Sequence, residues 1–173
     1  MFSDSKHFAR TADFLPVIVA ALLVDMIGLF LSAENYIPSK TLKFWYQRYG
    51  LAAVLSDVLI MVIGVLLTSA LYSCLFPEFH LVFFLFLAVL VQMTHDVLFY
   101  LVFSNIPRGK SEIMDVFKDW ATEQGGVTIL LGDACMIVGT ILIAYLLSKY
   151  SKRVNSVALV GGLYLLPYFV FSV

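Results

Sequence analysis

Four aspartates, Asp25, Asp57, Asp96 and Asp133, stand inside runs that are otherwise apolar. A carboxylate at the centre of a hydrocarbon layer costs about 3 kcal/mol on insertion scales and more in simulation. Such residues therefore face a protein interior or a water-filled cavity, and are functional candidates by default. Asp25 lies six residues before Leu31, where its run ends, and Asp96 seven before Phe103. Asp57 and Asp133 each follow a glycine, Gly50 and Gly126, by seven. At about 1.5 Å per residue, all four fall about 10 Å below one interface.

Other small or polar residues share faces with them. Gln92, His95, Asp96 and Phe99 follow the i, i+3, i+4, i+7 spacing of one helix face. Ala53, Asp57, Ile60 and Gly64 form a second such face, and Gly132, Asp133, Met136 and Thr140 a third. Burial is cheapest if these faces turn inward and hydrogen-bond one another. Four acids in one low-dielectric layer would not all carry charge, and a protonated one can donate. His95 is the natural cation or shared-proton partner.

Three chemistries suit this layer. The acids could cross-link helices, form a proton or cation pathway, or join His95 as a metal or acid–base site. Neighbouring side chains on a helix diverge by about 100°, so His95 and Asp96 are not a ready-made dyad. No metal-ligand spacing, nucleophile elbow or phosphate-cradling loop occurs, so neither an enzyme nor a metal or cofactor is expected. The off-centre depth lowers the burial penalty and ranks cross-linking above transport.

A membrane must supply the hydrocarbon. The chain has 173 residues, 61% hydrophobic and only 13% charged, with mean hydropathy +0.94. That leaves too little polar residue to cover a water-facing surface. Five segments reach the roughly 20 residues of a span, near residues 14–31, 51–76, 79–103, 127–148 and 156–173. The first thirteen residues are polar, and the run that follows reads as an anchor without a cleavage site. Pro77 and Glu78 leave room only for a hairpin between spans two and three. The expected fold is an all-α membrane bundle forming one domain.

The spans carry an internal repeat. Gly50-x6-Asp57 parallels Gly126-x6-Asp133, Asn35-Tyr-Ile-Pro38 parallels Asn105-Ile-Pro107, and Asp25 parallels Asp96. Two parallel units plus one extra helix account for the chain. Each unit contains an amphipathic linker, 40–49 and 112–124. The first sets Leu42, Trp45, Tyr46 and Tyr49 against Lys40, Lys43 and Gln47. The second sets Ile113, Val116, Phe117 and Trp120 against Glu112, Asp115, Asp119 and Glu123. Such helices lie in the interface, with Trp45, Tyr46, Tyr49 and Trp120 as anchors at headgroup depth. Arg108 and Lys110, in the turn before the N-cap candidate Ser111, are candidates for headgroup contact.

Charge leaves orientation open. The linker face carries six Lys/Arg and the opposite face five; a four-span alternative, with the first segment only dipping in, would make this eight to three. The net charge of −1 gives no field to attract nucleic acid. Cys74 and Cys135 fall at opposite ends of their spans and are expected to be buried thiols without a disulfide.

Arg48-Tyr-Gly50, Ser56-Asp57, His95-Asp96-x-x-Phe99-Tyr100, Ile106-Pro-Arg-Gly109, Asp115-x-Phe117-Lys118 and Gly132-Asp133 give the chain a further likeness. Over residues 45–170 it resembles small multi-pass membrane proteins of large nucleocytoplasmic DNA viruses of algae and protists. The resemblance implies residence in the virion inner membrane, beneath the capsid and drawn from host internal membrane. It also implies capsid or other membrane proteins as partners, and no catalytic residues. The expectation is therefore an integral membrane protein with a structural or assembly role. The alternative is a small proton- or cation-conducting transporter using the aspartate layer. The bilayer, and a second copy of the chain, are the remaining expected partners.

Overall fold

The computed structural model describes residues 14–171, and within them all regular structure is helical. The helices are α1 (Phe14–Ala33), α2 (Lys40–Tyr49), α3 (Leu51–Leu75), α4 (Leu81–Asn105), α5 (Glu112–Gln124), α6 (Gly126–Leu147) and α7 (Lys152–Val170). Five of them, α1, α3, α4, α6 and α7, are long and apolar enough to cross a membrane. The order is span–linker–span twice, then a final span. The polar first thirteen residues, with Lys6 and Arg10, and residues 172–173 of the expected fifth span lie outside the described residues.

Spans α1, α3, α4 and α6 form a ring in which α1 and α4 occupy opposite corners, each packed on both α3 and α6. A parallel repeat fits this arrangement, with each unit contributing one helix to each diagonal. The final span α7 breaks the symmetry by packing on α1. That makes α1 the central helix, with Val17, Val19, Ala20, Ala21 and Leu29 fully buried. Gly162 permits the close approach: a Cβ there would lie 2.9 Å from Leu22 Cδ2. Gly162→Ala should cost about 1 kcal/mol, at the low end of overpacking, because the end of Leu22 can rotate. Thermal unfolding in detergent measures it, and an unchanged midpoint would show that α7 does not depend on this contact.

The lipid-facing surface is as apolar as the core. On α3, Leu55, Leu59, Ile63, Leu67 and Leu71 form an exposed stripe at every fourth residue. Cys74 and Cys135 are also exposed, as free thiols, which corrects the expectation of burial. Span interiors that are apolar all round carry no periodic signal to separate lipid from core. The α3–α4 hairpin is closed by Tyr72, whose hydroxyl accepts from the His80 N–H at 2.9 Å.

Two boundaries differ informatively. Helix α7 begins at Lys152 rather than near Ser156. Ser151 caps its polar first turn, and buried Asn155 donates to the Leu147 carbonyl at 3.1 Å, so the helix start finds partners for its first-turn donors. In the repeat, Gly50 and Gly125 take positive φ, 52° and 76°, where each linker turns into its span. By conformation the counterpart of Gly50 is thus Gly125, not Gly126. A tandem Gly-Gly does not announce which residue will take the turn.

Candidate functional site

The two linkers lie side by side and antiparallel. Arg48, near the end of α2, meets Glu112 at the start of α5 through two contacts of 2.9 and 3.2 Å. Glu123, near the end of α5, reaches the start of α2. It accepts from the Ser39 hydroxyl at 2.9 Å, the Lys40 N–H at 2.7 Å and the Thr41 N–H at 3.0 Å. One carboxylate thus caps a helix from another element. Desolvation alone would raise the pKa of the exposed Glu123, but hydrogen bonds from Thr41, Lys40 and Ser39 outweigh it and hold the carboxyl down at about 2. Between these clasps the Trp45 and Phe117 rings meet at 5.2 Å.

The four aspartates converge beneath this roof, but they divide into two kinds. Asp25 is fully buried and belongs to the core. Its Oδ1 lies 3.1 Å from the Tyr46 hydroxyl, which lies equally close to Asp57 Oδ2. Trp45 Nε1 donates to the same Asp57 oxygen at 3.3 Å. A phenol has one proton, so for both Tyr46 contacts to be hydrogen bonds one of the two carboxyls must supply the second. Tyr46 itself stays protonated. Burial first, then the Asp57 and Asp25 charges, push its phenol well above the ordinary range.

Asp96 and Asp133 face open space instead. Gln92 Nε2 donates to Asp96 Oδ1 at 2.8 Å, and His95 Nδ1 lies 3.1 Å from the same oxygen. The sequence-based expectation that His95 and Asp96 diverge is therefore corrected: the imidazole swings back along the helix to its neighbour. Asp96 Oδ2 has no partner among the described residues. Asp133 accepts no hydrogen bond from any of them.

These groups line a cavity of about 610 Å³. Asp57 and Ile60 reach it from α3, Gln92, His95, Asp96 and Phe99 from α4, and Gly132, Asp133 and Met136 from α6. Trp45, Phe117 and Trp120 roof it from the linkers. Ser56, Ile113, Thr128 and Gly132 on its walls are exposed, so it communicates with its surroundings. Met136 sits ten residues along α6, about 15 Å from its start, so the cavity reaches roughly to mid-bundle. Beyond it, Thr140 donates to Met61 Sδ at 3.2 Å and Ile137 and Ile141 are fully buried.

Two of the four expected anchors turn into the protein. Trp45 and Tyr46 are buried in the bundle, Tyr49 is half-buried with its ring 4.8 Å from Trp45, and Trp120 is half-buried at the cavity. Arg108 is exposed and paired with Asp119 at 2.8 Å, while Lys110 is exposed in the turn before α5. Among the described residues no group of three or more His, Cys, Asp or Glu could hold a metal ion. Sequence reasoning missed the Glu123 clasp; its only signal was Ser39, placed as an N-cap before α2 just as Ser111 is before α5. Compared with protein-family models, curated proteins and solved structures, the chain matches none.

Proposed function

We propose that the protein is a cation-binding membrane protein of carrier type, which admits a cation from the linker face and holds it between its two repeated units. The observation that carries this reading is the cavity, where Asp57, Asp96 and Asp133 come from three different spans. A layer that served only to cross-link helices would pair its acids. Here, among the described residues, Asp133 is left without a hydrogen-bond partner beside the cavity, and low dielectric strengthens its pull on a cation. A site between repeats, reaching toward the midplane, is the common placement in secondary transporters. Close packing around Ile137 and Ile141 closes the far half, which fits a one-sided binding state better than an open pore.

Proteoliposomes test this. Wild-type protein should dissipate an imposed gradient of protons, potassium or an organic ammonium ion, and Asp133→Asn should slow that flux at least about tenfold, the worth of one charge-assisted contact. Unchanged flux in both Asp57→Asn and Asp133→Asn would remove the carrier reading.

A second reading is favoured by the ties from Asp25 and Asp57 to α2, the cross-linking use expected of a structural layer. Joined with the resemblance to virus membrane proteins, it makes the chain an organiser of a large DNA virus's inner membrane, with capsid or other membrane proteins at its linker face. It predicts that Asp57→Asn and Asp133→Asn lower detergent stability or virus yield and leave flux untouched.

A further inference from the structure

We infer that the guest of the cavity is an amphiphilic organic ammonium: one cationic head on an apolar body, taken up from the membrane interface. This rests on the cation-binding reading above and narrows it to a chemical class. Charge comes first. Among the described residues the lining holds three carboxylates, no Lys or Arg, and one imidazole, that of His95. The imidazole is already placed against Asp96 at 3.1 Å, so it neutralises at most one of the three. With no Lys or Arg in the lining, any charge it leaves unmatched is negative.

Size and wall chemistry exclude a bare ion as the best fit. A volume of about 610 Å³ lies within the range of pockets for drug-sized ligands. A dehydrated inorganic cation needs several oxygens converging at little more than 2 Å, whereas these carboxylates are spread over α3, α4 and α6 around the space. Most of the wall is apolar or aromatic, with Trp45, Phe99, Phe117 and Trp120 presenting rings. Such rings attract ammonium heads through their π faces and cover an apolar body equally well. The thioethers of Met61, Met114 and Met136 add adaptable apolar surface.

Position completes the match. The cavity lies under two amphipathic linkers, at the level where an amphiphilic amine partitions with its head near the headgroups. Its few carboxylates and its largely apolar lining match the two parts of such a molecule.

The chain's two tryptophans, Trp45 and Trp120, both line the cavity, so intrinsic fluorescence reports occupancy directly. The full chain in nanodiscs is titrated with 4-phenylbutylamine, with its neutral analogue 4-phenylbutanol, and with tetramethylammonium, which has the charge but little body. The amine should give a saturable change with affinity about ten- to a hundredfold above the alcohol, the range of a charge-assisted hydrogen bond. Asp133→Asn, or Asp96→Asn if the first variant does not fold, should erase most of that preference. If tetramethylammonium binds as tightly as the amine, the amphiphile class falls while the cation site stands. If the alcohol equals the amine and neither variant changes this, both fall. A non-saturable response, showing partition into lipid only, overturns the inference and leaves the flux assay to decide the carrier reading.

Discussion

Tyr46→Phe, the loss of one oxygen, is expected to cost about 2–3 kcal/mol of stability. The hydroxyl lies 3.1 Å from both Asp25 and Asp57. Asp25 Oδ2 already lacks a partner among the described residues, so losing the phenol leaves that fully buried carboxyl with none. An orphaned buried polar group costs about 1–3 kcal/mol, and here two carboxyls lose a contact at once. Asp57→Asn should be milder, because an amide can still meet the Tyr46 hydroxyl. A double-mutant cycle between Tyr46→Phe and Asp25→Asn, read by unfolding in detergent, should give strong coupling. Additive effects, or a Tyr46→Phe loss below about 0.5 kcal/mol, would show that the shared hydroxyl does not hold α2 to the bundle.

Glu123→Ala should release the clasp between the linkers. Its carboxylate accepts from Ser39, Lys40 and Thr41, serving as the N-terminal cap of a helix in the other repeat unit. Loss of a cap costs about 1 kcal/mol, and the exposure of Glu123 keeps the figure there rather than at the larger value its pKa alone would suggest. The pH dependence has a definite sign. The folded-state value, about 2, lies below the ordinary 4.5. The contribution is therefore complete above about pH 4.5 and is lost as pH falls toward 2. Amide hydrogen-exchange protection at Lys40 and Thr41, taken relative to the intrinsic rate at each pH, should fall in Glu123→Ala, and in wild type at low pH. Collisional quenching of Trp45 and Trp120 should rise with it, since the roof they form loosens. Protection at Lys40 and Thr41 that is indifferent to the variant would sink the clasp.

Much of the site was legible in the sequence because polar residues in hydrocarbon have few places to go. The three faces read from spacing, through Asp57, Asp96 and Asp133, all reach one cavity. The amphipathic stretches at 40–49 and 112–124 are helices with those bounds. What escaped notice was how linkers and spans meet. Trp45, Tyr46 and Tyr49 read as headgroup anchors, since an aromatic at the interface can turn to lipid or to protein with nearly equal apolar gain. Only the Asp57 and Asp25 oxygens below them decide the matter, by offering partners for Trp45 Nε1 and the Tyr46 hydroxyl. His95 was misjudged because a helix fixes where a Cβ points but not how an imidazole rotates beyond it.

The amino-acid sequence by itself determined that this chain is a helical membrane protein with a repeated span–linker–span unit and an acid layer under its linkers. Those features follow from chain length, hydropathy and the cost of burying charge, which act locally. Tertiary structure alone decided that the four acids are not equivalent. The last span packs on α1, and Tyr46 covers Asp25 from above, so Asp25 is sealed in the core; its counterpart Asp96, on α4 at the opposite corner, stays beside the cavity. Helix surfaces that are apolar on every side do not encode which neighbour will cover them. That choice is made by packing, and here it separates the acid sealed in the core from acids left beside the cavity.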